Sequence, residues 1–179
     1  MEFTLAKIED FNEVQNLYWN LIDQSKDELS FPDWKKGEHP SPDLIMDSIK
    51  QEHLYVLKDE GIIKACAICN CLANKEYESV SWQVKDKANN VWILHALAVG
   101  YEYRNQGFGT ILVRHILSQA QKEGIEAIHL DVIDKNTVAD KLYEKLGFKY
   151  ISTENIFYEV VGNRKFRMYE YTFDEKEQW

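Results

Sequence analysis

The hexapeptide Arg104-Asn105-Gln106-Gly107-Phe108-Gly109 follows an apolar run and precedes an amphipathic stretch, a placement suited to seating an anion. The first N–H groups of a helix lack internal partners, and the macrodipole adds about half a positive charge at that end. A guanidinium at Arg104 stands where it could join the same anion, so a pyrophosphate-bearing ligand is the chemistry indicated. Upstream, His95 offers an imidazole whose ordinary pKa of about 6.5 suits proton uptake near neutrality. Downstream, Tyr143 carries a phenolic hydroxyl. Each role has a plainer alternative: a core histidine that is hydrogen-bonded or shapes a pocket, and a tyrosine that packs its ring.

Other phosphate motifs fail on spelling. A Walker loop requires Gly, four residues, then Gly-Lys-Ser/Thr, and no lysine follows Gly107 or Gly109. The dinucleotide fingerprint would use Gly107, Gly109 and a ribose-binding Asp131, but its third glycine falls on Leu112, too large for close helix–sheet contact. Cys66, Cys69 and Cys71 lie in a strand-like run, where Cys66 points away from the other two. They cannot close a tetrahedral metal site and read as reduced structural thiols.

These groups need particular elements to hold them. Val91–Val99 is apolar on both faces and predicts a central strand feeding the glycine turn. Alternation puts His95, Leu97 and Val99 on one face, so His95 is expected to look into the cleft those residues line. Gly107–Glu123 predicts the long helix, stopped at Gly124. A strand over Ala127–Ile133 follows, then a helix capped by Asn136 or Thr137 and ended by Gly147. Before this block, Phe3–Ile8 reads as a strand, and Phe11, Val14, Leu17, Leu21 and Ile22 recur at helical spacing. Residues 25–42 read as a loop or broken helix, followed by a short helix holding Leu44, Ile45 and Ile49. His53–Lys58 and Ile62–Leu72 form a hairpin around Asp59-Glu60-Gly61, Lys75–Val84 is a further strand candidate, and Phe148–Ser152 and Phe166–Phe173 close the sheet.

At 179 residues, with neither repeat nor linker, the chain is expected to fold as a single domain over 1–179. A net charge of −9 argues against nucleic acid as a partner, and the acidic surface favours cationic ligands at long range. The start lacks the features of a signal peptide and no apolar run reaches membrane-span length, so a cytoplasmic location without a membrane partner is expected.

From about Val91 to Tyr150 the chain resembles the GNAT N-acetyltransferase superfamily. The resemblance rests on Leu94-His95-Ala96-Leu97-Ala98-Val99, the Arg104–Gly109 loop in its R/Q-x-x-G-x-G/A form, Leu130-Asp131-Val132 with Asn136, and Leu142-Tyr143-Glu144-Lys145-Leu146-Gly147-Phe148, in that order. It implies an α/β (α+β) fold with a mixed, mostly antiparallel sheet of six to seven strands and four helices, splayed at the coenzyme A site. It also implies acetyl-CoA as cosubstrate, no metal, and direct attack by a primary amine of a small molecule or peptide in a ternary complex. The pyrophosphate would lie over the backbone of Arg104, Asn105, Gln106, Gly107, Phe108, Gly109 and Thr110. The pantetheine arm would lie along Leu97, Ala98 and Val99, with Asn136 and Tyr143 beside it. His95 matches a base position in arylalkylamine N-acetyltransferases, and Tyr143 matches the family's general acid. Trp34, Tyr77 and Trp82 fall in the variable regions that line acceptor pockets. A protein N-terminal or lysine acetyltransferase, or a non-catalytic acyl-CoA-binding regulator, would present the same motifs. Homodimers are common among family members.

Overall fold

In the computed structural model, which describes residues 1–159 and 161–173, the chain opens with β1 (Glu2–Leu5) and one 3₁₀ turn before α1 (Phe11–Ser25). Val14, Leu17, Tyr18, Leu21 and Ile22 are all buried, so the apolar spacing of α1 is the face that docks on the sheet. An irregular connection over 26–41 leads to α2 (Pro42–Lys50), where Ser41 caps the helix by accepting the Leu44 N–H. Pro42 sits in the first turn, where no intrahelical N–H bond is lost. β2 (Leu54–Asp59) and β3 (Ile62–Asn70) form a hairpin turning at Glu60-Gly61, both at positive φ. β4 (Val91–Val99), α3 (Phe108–Lys122), β5 (Ala127–Ile133) and α4 (Thr137–Lys145) follow, then the long hairpin β6 (Lys149–Tyr158) and β7 (Gly162–Thr172).

The strands form one seven-stranded sheet in the order β1-β2-β3-β4-β5-β7-β6, antiparallel at every contact except β4 with β5. α3 and α4 cover one face, packing Leu112, Ile116 and Tyr143 into a core with Leu57, Ala65, Leu94 and Leu130. α1 and α2 cover the opposite face over β2 and β3. Further along that second face the cover is not helical: Tyr77, Val80 and Trp82 pack over Ile93, Ala127, Phe166 and Met168. This is the mixed, mostly antiparallel sheet with four helices that the resemblance implied. Cys66 packs with the α1 cluster and Cys69 with the α3 cluster, as strand alternation requires. Among the described residues no helix is long and apolar enough to cross a membrane.

Some boundaries and one element differ from the sequence reading. Lys75–Val84 is not a strand: Lys75–Ser79 winds a 3₁₀ turn and the chain then runs irregularly to β4. Where β4 begins, its edges are taken by β5 over Val91–Ile93 and by β3 from Ile93 onward, and the Gln83 and Val84 N–H groups bond the Glu170 carboxylate instead of a ladder. β1 stops at Leu5 because the Lys7 N–H turns to Asp10 Oδ2 at 2.9 Å. β6 continues well past Ser152 because β7 pairs with it down to Tyr158–Gly162.

Candidate active site

β4 and β5 pair only where Val91–Ile93 lies beside Ala127–His129. Beyond that point β4 stays bonded to β3 and β5 to β7, and the two parallel strands part. Each then presents main-chain groups along one edge with no strand beside it, a surface on which an extended amide-bearing arm can lie. Burial breaks at the same place: Val91–Leu94 are buried, whereas His95, Ala96 and Leu97 are only partly so.

A bulge falls here as well. Ile68 opposes His95 and Cys66 opposes Ala98, so β4 carries one residue more than β3, and Ala96 takes φ +49°. The hydroxyl of Tyr18, fully buried on α1, donates to the Ala96 carbonyl at 2.6 Å and holds the kink. The extra residue reverses the alternation. Leu97 and Val99 pack toward α3 and Ala98 toward α1, while His95 follows Ile93 onto the face covered by Tyr77. The expectation that His95 shares a face with Leu97 and Val99 is therefore corrected.

At the mouth of the splay, Asn105 and Gly107 adopt left-handed φ of +62° and +88°. A β carbon on Gly107 would meet nothing within 4 Å, so torsion rather than space requires glycine there. At Gly109 packing decides, since a β carbon would sit 3.3 Å from Val99 Cγ2. α3 begins without a side-chain cap, and its first internal bond is Ile111 N–H to Gly107 O at 3.0 Å. The N–H groups of Phe108, Gly109 and Thr110 are thus left for an anion, which fits the pyrophosphate of coenzyme A. Arg104 is engaged elsewhere. Its guanidinium donates to both Glu28 oxygens at 2.7 and 2.9 Å and to Ser25 Oγ at 3.2 Å, tying this loop to the end of α1. Asn136 caps α4, its amide oxygen accepting the Ala139 N–H at 3.1 Å, so its amide nitrogen is the group left for an arm lying past it.

Tyr143 lies on the inner face of α4, nearly buried, with its ring edge-on to Phe148. Burial, reinforced by Asp131 and Cys69, raises its pKa well above the ordinary value, so the phenol stays protonated. Among the described residues its hydroxyl has no hydrogen-bond partner. Across the gap stands Asp131. Its Oδ2 accepts from Tyr77 at 2.8 Å and Tyr158 at 2.7 Å, and Asn74 Nδ2 donates to the Tyr158 hydroxyl at 2.6 Å. Enclosure pushes the Asp131 carboxyl up, against the two phenols and His39, which pull it down. Burial pushes His95 down to about 4, against a bond to the Leu72 main chain. Burial also lowers His39, helped by His95 and opposed by Asp131. Asp131, on β5 beyond the point where the strands part, thus interacts with the Tyr143 phenol of α4 and with the His39 imidazole of the 26–41 connection.

The sequence reading placed His95, Tyr143 and Tyr77 at this crevice but missed Asp131 as an acid there, with His39 and Tyr158. An ionisable residue inside the apolar strand Ala127–Ile133 was the available signal. Trp34 stands edge-on to Tyr18, Phe31 and His39 at the outer side. Trp82 is buried, stacked on His129 at 3.8 Å, and so supports the wall instead of lining it.

A split parallel pair, a bulge and an uncapped helix start define an acyl-CoA-type transferase fold. The family model for the acetyltransferase (GNAT) family matches residues 12–148, and the chain belongs to that family. Among curated relatives, the [Ribosomal protein bS18]-alanine N-acetyltransferase of Escherichia coli K12 is 32% identical over 72 residues, covering 40% of this chain and 49% of that one. The chain spans about half the length of the curated relatives it matches first. A GNAT acetyltransferase structure from Streptococcus agalactiae superposes with TM-score 0.77 at 16% identity, covering 97% of this chain and 96% of that one. A Salmonella typhimurium structure described with its cofactor acetyl-CoA gives TM-score 0.70 at 14% identity, covering 98% and 95%. At these identities the structural likeness is one of fold.

Proposed function

We propose that the protein transfers an acetyl group from acetyl-CoA to a primary amine, by direct attack in a ternary complex. The observation that carries this reading is the parting of β4 from β5 beside the uncapped start of α3, and it is supported by the coupling of Asp131 to Tyr143 and His39. The bound thioester supplies an activated acetyl group. Family membership and the acetyl-CoA found in the Salmonella structure support the same cosubstrate.

An alkylammonium has a pKa near the lysine value of about 10.4, so it must lose a proton before it can attack. Moving that proton to His95 would create an imidazolium where burial disfavours one. Moving it to Asp131 cancels two opposite charges in an enclosed crevice, the direction burial favours. Asp131 therefore attracts the ammonium and ends with the proton. His95, neutral at pH 7, relays it or holds the amine by hydrogen bond. The uncommitted Tyr143 hydroxyl then protonates the departing thiolate.

A small acceptor is favoured by the ion pairs from Asp33 to Lys135 and Arg164, which fasten the 26–41 connection across the β5–α4 turn and β7. The names of the curated relatives favour a peptide N-terminus as the second reading. The test is thiol release from acetyl-CoA over a panel of alkylamines, polyamines and Ala-initiated peptides, with wild type, Asp131→Asn and His95→Gln. Turnover with some amine, lost about 10²-fold or more in Asp131→Asn, is expected. In His95→Gln a smaller loss with acetyl-CoA affinity kept is expected, whereas an unaltered pH–rate profile reduces His95 to shaping the pocket. Binding of acetyl-CoA without turnover on any amine would point to a regulator.

A further inference from the structure

The connection of residues 71–90 is long for a segment with only one 3₁₀ turn, and segments of that kind usually serve function. Its two ends are pinned at different depths. Near the crevice, Tyr77 and Asn74 reach Asp131, the first directly and the second through Tyr158. Far from it, Glu170 of β7 is 1% exposed and accepts the Gln83 N–H at 3.0 Å and the Val84 N–H at 2.9 Å. Glu170 also contacts His129 Nε2 at 2.9 Å, directly across the β5–β7 ladder. The His129 ring carries the stacked Trp82 indole, whose Nε1–H donates to the Tyr77 carbonyl at 2.9 Å. His129 and Asp131 lie two residues apart on one face of β5, so a single strand supports both ends of the chain of contacts.

We propose that Glu170 is a positioning residue: with His129 it clamps Gln83 and Val84, and through Trp82 it sets the Tyr77 hydroxyl on Asp131. The inference rests on the reading that Asp131 receives the acceptor amine. The proposed network is a buried carboxylate outside the crevice controlling a phenol inside it. Burial pushes Glu170 up, but His129 and the two amides outweigh it and hold the carboxyl below the ordinary range, so it stays ionised in the working range of pH. The groups facing Asp131 are Tyr77 from this segment, Tyr158 from β6, His39 from the 26–41 connection and Tyr143 from α4, with His95 of β4 acting on His39. Of these, Tyr77 hangs on the clamp through Trp82, and Tyr158 is tied to the same segment only at one remove, through Asn74.

The test is a cycle of Glu170→Gln, Tyr77→Phe and the double variant. Glutamine keeps the volume but offers one acceptor oxygen in place of two. Each single variant is expected to raise KM for the amine about tenfold, the scale of one hydrogen bond to a charged group. Each should also move the acid limb of kcat/KM to higher pH, because Asp131 loses a donor, while calorimetry shows an unchanged Kd for CoA. In the Tyr77→Phe background the second change should add less than about twofold. Carbon-13 titration of Asp131 in ligand-free protein should show the same upward shift in Glu170→Gln. Wild-type kinetics and titration in a folded Glu170→Gln protein, or effects that multiply in the double variant, would overturn the inference. If Glu170→Gln does not fold, Trp82→Phe, which keeps the stack but removes the donor to Tyr77, must give the same titration shift, and its absence likewise overturns the inference. A wild type that acetylates no amine sinks the acetyltransferase reading alone, since the ligand-free titration still judges Glu170.

Discussion

Burial raises the Asp131 carboxyl above its ordinary range, against Tyr77, Tyr158 and His39, so at neutral pH the folded protein holds a charge where the acid form is preferred. With the folded value above the unfolded one, stability from this group is complete below about pH 4 and is lost as pH rises through the folded value. Asp131→Asn should therefore raise Tm at pH 7 while lowering activity, with the gain in Tm shrinking toward pH 3; melts across that range decide it. A protein that gains stability from losing a side chain is one in which that side chain serves something other than folding. Tyr143 makes the opposite case: its ring packs, but its hydroxyl bonds to no described residue, so Tyr143→Phe should leave Tm within a degree or two and cost kcat about 10²-fold. Near-wild-type turnover would leave Tyr143 only its packing.

The elements divide by where their specification comes from. α1, α2, β5 and α4 were legible because periodicity and caps are local: Ser41 and Asn136 mark helix starts within three residues of the N–H groups they accept. The glycine turn was legible for the same reason, and Gly107→Ala tests it. A left-handed alanine costs roughly 1–2 kcal/mol and should weaken CoA binding in calorimetry with little loss of fold, because no neighbour crowds the site. Lys75–Val84 shows the limit of such reading. Apolar residues at Tyr77, Val80 and Trp82 report a segment with a buried side, not membership of a ladder, and here the segment lies over the sheet. The bulge at Ala96 was out of reach, since it is held by a tyrosine 78 residues away in sequence. That kink put Leu97 and Val99 on the face opposite His95. The same distance hid the Asp131 site, whose phenols come from positions 54 and 27 residues away.

Across the whole molecule, a net charge of −9 surrounds a crevice with a carboxylate inside it, which favours cationic acceptors and makes their capture depend on salt. KM for a polyamine should rise more steeply with ionic strength than KM for a monoamine, and parallel slopes would confine the attraction to Asp131 and its neighbours. Arg104 also contributes at this scale: its pair with Glu28 joins the glycine turn to the 26–41 connection that carries Trp34 and His39. The parted strands also have a colloidal consequence. Two strand edges without a neighbouring strand, left unguarded, are templates for foreign strands, and a cosubstrate lying along them doubles as a stopper. Protein stripped of CoA should scatter light earlier on warming than saturated protein, by more than the difference in melting point. Equal onsets would mean that neighbouring side chains already shield both rims.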